Sequence, residues 1–383
     1  MLFPLLYTLV TAAFGGAVLR LLLKQELKFG RGTALGLLLL LLFETLCYRV
    51  TPGYLGFCLF SLACLLAYWK LPTPGLLPVQ EKAVLITGCD SGFGHALAKY
   101  LDELGFIVFA GVLFLDGPGA QDLKKCGSDR LTVLQMDVTN SQQISEVFEF
   151  VKAQLKDKGL WGIVNNAGIL KLFAEAELLP MNAYKHCLEV NFLGAVEVTK
   201  VFLPLLRQAK GRLINVSSLA GSVPIMRFAP YNASKAALSI FSNTLRYELA
   251  IWGVKVAIIQ PTQFKTGIFG TIDQRNQQYT ELLQQLSPEV RKDYGESYLN
   301  SLKELYTSVQ GDIPQSLQPV LKDIVTALLA NNPRRLYTPG SGAFLIPLIY
   351  HNAPTFISDF FIFQQFNMIR NIPDGAKPKG VCQ

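Results

Sequence analysis

Lys82-Ala-Val-Leu-Ile-Thr87, running into Gly88-Cys-Asp-Ser-Gly92-Phe-Gly94, sets the architecture of everything that follows it. Residues 82–87 are a short apolar run, the pattern of a strand buried on both faces of a parallel sheet. A helix is predicted from His95 to Leu104. Strand, glycine turn and helix in that order form the context in which a glycine pattern signals dinucleotide binding. Glycine lets the chain turn tightly and lets backbone N–H groups approach a pyrophosphate at the helix N-terminus. Gly88, Asp90, Ser91, Gly92, Phe93 and Gly94 are therefore candidate cofactor residues, with a purely structural glycine turn as the alternative.

Outward from this turn, strands and helices alternate. Phe106 to Val112 reads as a second strand. Near its end an acid would hold the adenosine ribose hydroxyls, whereas a basic residue would accept a 2′-phosphate. The sequence gives Leu113-Phe-Leu-Asp116 without Lys or Arg, and Asp90 is acidic too, which favours NAD over NADP. Asp116 reads equally well as a turn residue before Gly117-Pro118. Leu131 to Met136 is a third strand, followed by Asp137, placed to reach an adenine amino group. A helix N-cap at Thr139, Asn140 or Ser141 is the other reading of that turn. Trp161 to Val164 is a fourth strand, ending in Asn165-Asn166-Ala167-Gly168. Leu213–Val216, Val254–Ile259 and Arg335–Thr338 complete the series. This rhythm implies an α/β fold, a doubly wound parallel sheet, over residues 81–340.

Tyr231-Asn-Ala-Ser-Lys235 carries the chemistry. Of fourteen tyrosines, Tyr231 alone has a lysine four residues later. Ala236 to Leu249 reads as a helix, with Ala237, Leu238, Phe241, Leu245 and Leu249 at helical spacing. Positions i and i+4 share a helix face, so phenol and ammonium would lie side by side. A phenol titrates near pH ~10; to serve as a base near neutrality it needs about 4 kcal/mol in favour of phenolate. An adjacent fixed cation is the direct source. A surface tyrosine beside a solvated lysine is the bland alternative. Ser218, at the end of the Leu213–Val216 strand and thirteen residues before Tyr231, would sit at the sheet edge where ligands bind. Met181 to Gln208 is predicted as one long helix carrying Asn191.

The set Thr-Gly-x-x-x-Gly-x-Gly, Asn-Asn-Ala-Gly, strand-end Ser and Tyr-x-x-x-Lys resembles the short-chain dehydrogenase/reductase family. The resemblance covers essentially Leu77 to Pro339. It implies that Asn191, Ser218, Tyr231 and Lys235 form the active site. It also implies that the glycine turn, Asp116, Asp137, Asn165, Ala167, Gly168, Tyr231, Lys235, Pro261 and Thr262 bind NAD. Runs such as KYLDELGF, VEVTKVFLPLLR and GRLINVSS are similar to the membrane-bound hydroxysteroid and retinol dehydrogenase branch. That branch implies oxidation of a secondary hydroxyl on an apolar steroid, at C17 first, with C11 or retinol as alternatives, in a chain that could form homodimers. Tyr231 would take the proton, Lys235 would lower the Tyr231 pKa and bind the nicotinamide ribose, Ser218 would steady the oxygen, and Asn191 would hold a water relay to Lys235. One departure is local: the family usually has Pro-Gly after the sixth strand, where this chain has Pro261-Thr262.

The composition narrows the partners. In 383 residues with 50% hydrophobic and 16% charged content, the net charge is +7. Residues 1–81 hold +3 of it, and the remainder is spread without a basic tract, which excludes nucleic acid as an expected partner. Seven cysteines form no CxxC pair and three histidines are scattered, so reduced thiols and no metal site are expected. Met1–Leu19 and Thr51–Trp69 are apolar and uncharged, each about the length that spans a ~30 Å bilayer core. Leu37–Phe43 would be a third span or an interfacial segment. An N-terminal transmembrane anchor over 1–70, with two or three spans, is the expectation; a cleaved signal peptide or a buried helix pair is the alternative. Arg20, Lys24, Lys28 and Arg31 place the first loop in the cytosol. Glycosylation sequons at Asn215 and Asn232 fall inside the candidate site, where a sugar would block it, which favours a cytosolic catalytic domain on the endoplasmic reticulum. Leu71–Pro78 reads as a proline-rich spacer within a linker over 71–80.

Substrate features lie late in the chain. Phe264–Gln310 is too long for a turn and has the character of a lid. Residues 341–383 form an apolar extension, in which Phe344–Ile369 packs on the core by default, or else rests on lipid or guards the entrance. Leu170, Phe173, Ile225, Met226, Phe228, Phe264 and Phe269 flank the motifs and suit a flat, water-insoluble alcohol, with core packing as each one's alternative. A membrane-tethered dinucleotide-binding protein without catalysis is the contrasting class; the complete Ser-Tyr-Lys set argues against it.

Overall fold

The structure, a computed structural model, describes residues 2–23, 31–51, 53–69, 75–308, 315–366 and 371–377. Lys24, Lys28 and the first part of the proline-rich spacer lie outside the described residues. The chain divides into two units, Met1–Leu77 with Ala330–Arg334, and Pro78–Leu329 with Arg335–Gln383.

The first unit contains helices α1 (Leu2–Leu23), α2 (Arg31–Val50) and α3 (Tyr54–Trp69). They meet over a small cluster of Tyr7, Cys47, Phe60 and Cys64, with Tyr7 stacked on Phe60 at 5.6 Å. The Thr11 hydroxyl donates to Glu44 at 2.7 Å, giving the acid of α2 a partner. Most leucines point outward instead: Leu9, Leu38, Leu42 and Leu65 are each more than half exposed. Among the described residues no helix is long and apolar enough to cross a membrane. The 16 residues of α3 reach only about 24 Å at ~1.5 Å per residue, and α2 carries Glu44 and Arg49.

In the second unit the strands are β1 (Ala83–Ile86), β2 (Ile107–Val112), β3 (Leu131–Gln135), β4 (Gly162–Asn165), β5 (Arg212–Val216), β6 (Lys255–Ile259) and β7 (Leu336–Tyr337). They form one sheet, ordered β3-β2-β1-β4-β5-β6-β7, with every pairing parallel. The helices follow the strands: α4 (Gly92–Glu103), α5 (Pro118–Cys126), α6 (Ser141–Leu155), α7 (Met181–Leu188), α8 (Ala195–Gln208), α9 (Ala229–Glu248), α10 (Ile272–Gln285), α11 (Pro288–Ser308), α12 (Gln318–Leu329), α13 (Leu345–Asn352) and α14 (Thr355–Phe366). The alternation along β1 shows how two helical layers are recruited. Val84 and Ile86 pack with Leu97 of α4 and Ile324 of α12, whereas Ala83 and Leu85 pack with Val147 of α6 and Phe202 of α8. All four strand residues are essentially inaccessible, so the uninterrupted apolar run reflects burial on both faces.

The single long helix expected over 181–208 is interrupted. Residues Glu189–Gly194 form a wide π turn between α7 and α8. Asn191 lies in this turn, fully buried, and its side chain is claimed from outside the helix. The amide donates to the Ile169 carbonyl and to Ser234 Oγ, both at 3.0 Å, and accepts from Ile169 N at 2.7 Å. Gly194 packs so tightly on Val138 that a Cβ would collide with it. Such widened turns recur where a side chain is needed off the regular helical register.

Candidate active site

Strand order reverses between β1 and β4, and a cleft opens at their C-terminal ends, as expected at such a switch point. Its volume is about 1450 Å³. Gly88, Asp90, Ser91, Gly92, Phe93, Asp137, Ala167, Gly168, Ser218, Tyr231, Lys235, Pro261 and Thr262 all line it.

Two glycines hold the turn after β1 in the left-handed region, Gly88 at φ +69° and Gly92 at φ +60°. A Cβ on Gly88 would come within 2.8 Å of Ala167 Cα. The Thr87 hydroxyl accepts the N–H groups of Asn166 and Ala167 at 3.0 and 2.9 Å, while Asn166 Nδ2 donates to the carbonyls of Thr87 and Gly88 at 2.9 and 3.1 Å. The β1 turn and the end of β4 are thus laced into one rim. Ser91 caps α4 in extended conformation without a side-chain hydrogen bond, so the first N–H groups of α4 remain free of a side-chain cap. A helix N-terminus without a side-chain cap, behind a turn with glycine at both ends, fits a pyrophosphate. Gly94 does not line the cleft; it lets α4 pack on the Gly88 carbonyl and Asn166 Nδ2, where a Cβ would collide. Gly94→Ala is expected to cost about 1–3 kcal/mol of stability and to weaken dinucleotide binding, checked by thermal melting and cofactor titration.

Two sequence expectations are corrected. Asp116 is exposed at the tip of a turn closed by Gly117 N donating to the Phe114 carbonyl at 3.1 Å, and it does not line the cleft. The acid nearer the role is Asp90, whose carboxylate accepts from Leu113 N at 3.0 Å and so reaches the end of β2. Asn165 also lies off the cleft. Its amide donates to Thr199 at 2.9 Å and Asn215 at 2.8 Å, a buried link between strands and α8. Asn166 takes the rim position instead. Asp137 stays in the cleft wall with its Oδ1 accepting from Thr139, and the helix cap that follows is Asn140.

The catalytic group assembles where α9 crosses the end of β5. Pro230 starts α9 without wasting an N–H. Ser217, beside Ser218, donates to the Lys235 carbonyl at 3.0 Å and binds Ser239 at 2.8 Å, fastening β5 to α9. Lys235 is buried, its ammonium donating to the Val216 carbonyl at 2.9 Å and lying 5.7 Å from the centre of the Tyr231 ring. Ser218 stands beside Tyr231 and pulls its pKa down. Spacing therefore brings phenol and amine together, but not with the electrostatics expected of them. Burial pushes Tyr231 up to about 12, against the lowering pull of Ser218, and burial pulls Lys235 down to about 8. Desolvation outweighs the cation in this state. Gly168 sits where a Cβ would touch both Lys235 Nζ and Asn191 Oδ1, at 3.2 and 3.4 Å, so Asn191 stands beside the pair without lining the cleft.

All seven apolar residues expected at the substrate side line the cleft. Phe173 stacks on Tyr306 at 4.0 Å and meets Phe228 and Phe269 edge-on. α10 adds Gln274, Gln277, Gln278 and Glu281, and the C-terminal extension adds Ile346, Gln365 and Phe366. That extension also packs on the core, Ile362 lying against Leu219 and Val223. Arg227, between Met226 and Phe228, has φ +72° and is held by Nε donating to Glu175 Oε1 at 2.6 Å; the Tyr298 hydroxyl on α11 binds the same carboxylate oxygen. This brace ties the loop before α9 to α11. Glu175→Gln is expected to destabilise by on the order of 3 kcal/mol and to raise substrate KM more than it lowers kcat, checked by melting and steady-state kinetics.

A parallel seven-stranded sheet with this rim and this Ser-Tyr-Lys group places the chain in the short-chain dehydrogenase family, whose model matches residues 82–277, and it belongs to that family of oxidoreductases. Among its relatives, human 17-beta-hydroxysteroid dehydrogenase type 2 is 48% identical over 327 residues, covering 85% of this chain and 84% of that one. The Bos taurus 11-beta-hydroxysteroid dehydrogenase type 2 is 43% identical over 346 residues, 89% and 86% of the two chains. In three dimensions a short-chain dehydrogenase from Streptomyces avermitilis superposes with a TM-score of 0.58 at 25% identity, over 75% of this chain and 98% of that one. Sequence reasoning missed Thr87, Asn166 and the Val216 carbonyl, whose roles depend on strand pairing and not on residue type alone.

Proposed function

We propose that the protein oxidises a secondary hydroxyl on an apolar steroid with NAD, the 17β-hydroxyl giving the 17-ketone. The observation that carries this is the placing of Ser218, Tyr231 and Lys235 in one cleft with a wall of Phe173, Phe228 and Phe269. The high identity to steroid dehydrogenases acting at C17 and, slightly lower, at C11 supports the substrate class and makes the 11β-hydroxyl the second reading. Retinol is a weaker third, and a non-catalytic dinucleotide-binding role is disfavoured by the complete catalytic set. Asp90 at the end of β2, with Leu113 as its neighbour and no basic residue in that stretch, supports NAD over NADP.

The glycine turn with Asp90 and Ser91, Asp137, Ala167, Gly168, Pro261 and Thr262 would hold NAD, with Lys235 reaching its nicotinamide ribose. Bound NAD supplies the acceptor for the carbinol hydride. Tyr231 Oη takes the hydroxyl proton, as phenolate, and Ser218 orients the substrate oxygen and steadies its developing charge. Lys235 supplies the cation that favours phenolate once substrate and cofactor exclude water, since at about 8 it still carries its proton at neutral pH. Asn191 fixes the backbone at Ile169 beside Lys235 and would anchor a water relay to it.

The N-terminal unit would hold the enzyme on the endoplasmic reticulum membrane through its outward leucines, with lipid as its partner. A cytosolic catalytic domain is supported by Asn215, which is wholly buried and bonded to Ser242 at 2.7 Å, a place a glycan could not occupy in the folded chain. The exposed stripe Ile240, Tyr247 and Ile251 on and after α9 suits a homodimer. The test is turnover of a panel of 17β- and 11β-hydroxysteroids and retinol with NAD and with NADP. Fastest NAD-linked oxidation of 17β-hydroxysteroids is expected; no oxidation of any of them would overturn the reading.

A further inference from the structure

Helix α10 brings a polar wall to a cleft that is also lined by aromatic and aliphatic side chains. Gln274, Gln277, Gln278 and Glu281, at i, i+3, i+4 and i+7, face the cleft, while Tyr279 and Leu282 face the aromatic cluster beneath. Three of the four polar side chains are engaged within the helix. Gln274 Oε1 accepts from Thr271 N at 2.9 Å in a capping box, and Gln277 Nε2 donates to Glu281 Oε1 at 2.9 Å.

Gln278 differs: its Oε1 is buried and has no hydrogen-bond partner among the described residues. Arg275 and Asn276 also carry buried unpaired atoms on this helix, but neither lines the cleft. Leaving a buried acceptor unpaired is costly, and native proteins seldom do it without a use for the group. Phe173, Phe228 and Phe269, which also line the cleft, offer no donor, and no described residue donates to Gln278 Oε1, whereas a hydroxyl on a ligand can.

We infer that Gln278 is a specificity-determining residue that accepts a hydrogen bond from a second hydroxyl of the substrate, distinct from the carbinol that Tyr231 deprotonates. The enzyme therefore favours a steroid diol over the hydroxy-ketone of the same skeleton, because a ketone supplies no proton to Oε1 and could be bonded only if the amide turned over to present Nε2. A site built around a hydrogen bond rejects the analogue that lacks it. This inference rests on the steroid reading above.

The test compares kcat/KM for two saturated steroids with the same 17β-hydroxyl, one bearing a hydroxyl and the other a ketone at C3. The wild type is expected to favour the diol by roughly tenfold, the scale of one hydrogen bond. In Gln278→Leu that ratio is expected to fall to near one, mainly through loss on the diol; Gln278→Met is the second variant should the first not fold. A preference for the ketone, or a ratio unchanged in the variants, overturns the inference while leaving the steroid reading intact. A wild type that oxidises neither compound overturns the 17β reading and the inference with it.

Discussion

Tyr231→Phe is expected to lower kcat by about 10³-fold or more while leaving dinucleotide affinity within twofold. The substitution removes one oxygen and keeps the ring against α9, so the cleft keeps its shape. What is lost is a phenol hydroxyl that stands beside Ser218, with a buried ammonium 5.7 Å from the centre of its ring. General-base catalysis contributes about 10²–10⁴-fold on its own, and the developing substrate oxygen also loses a partner. The measurement pairs single-turnover steroid oxidation with cofactor titration by fluorescence. Near-normal turnover would place the base elsewhere in the cleft.

Lys235→Met is the second substitution with a large expected effect, and its signature is a pH profile. In the cofactor-free protein burial keeps the Tyr231 proton in place, with the phenol up at about 12. Removing the one cation beside it makes phenolate harder still to form, so kcat at pH 7 is expected to fall about 10²–10³-fold and the rising limb to move to higher pH. Stability carries an independent signature. The Lys235 amine titrates at about 8 in the folded protein against 10.5 ordinarily. The unfolded chain therefore binds more protons between those values, and wild-type stability gains from this group as pH rises from 8 to 10.5. Below pH 8 its cost is fully present. Lys235→Met lacks the titration, so melting temperatures of the two proteins, compared at pH 7 and pH 9.5, should diverge in favour of the wild type at the higher pH. A difference independent of pH would mean that the amine is not buried as a cation.

The sheet was legible because its strands are apolar on both faces. Ala83 to Ile86, Ile163, Val164 and Leu213 to Val216 carry few polar side chains, and burial is what such runs encode. The grouping of Ser218, Tyr231 and Lys235 was legible because spacing brings the three together once α9 follows β5. Their ionisation was not legible. Helical spacing reports adjacency, whereas the proton affinity of Tyr231 depends on how much water the neighbouring segments exclude, which no local pattern records. Asp116 and Asn165 failed for a related reason. Both have the right chemistry, but one rides a turn into solvent and the other, at the end of β4, faces into the protein toward Thr199 and Asn215. Alternation along a strand decides between Asn165 and Asn166, and a strand four residues long fixes that phase weakly in sequence.

The wide turn at Glu189–Gly194 has a consequence for how this segment can change length. A π turn holds one residue more than the regular helix around it, so removing any one residue there would let the coil close up smoothly and cost little hydrogen bonding locally. α7 and α8 would keep their relative rotation, because the widened turn is what absorbs the extra residue, but the side chains inside the turn would step back onto the regular helical register. Asn191 would then be carried away from Ile169, whose N–H and carbonyl it now holds. Surface loops between strands and helices in this chain can gain or lose residues with modest effect, but the segment from Met181 to Gln208 has an indel-intolerant length, dictated by where one asparagine must point.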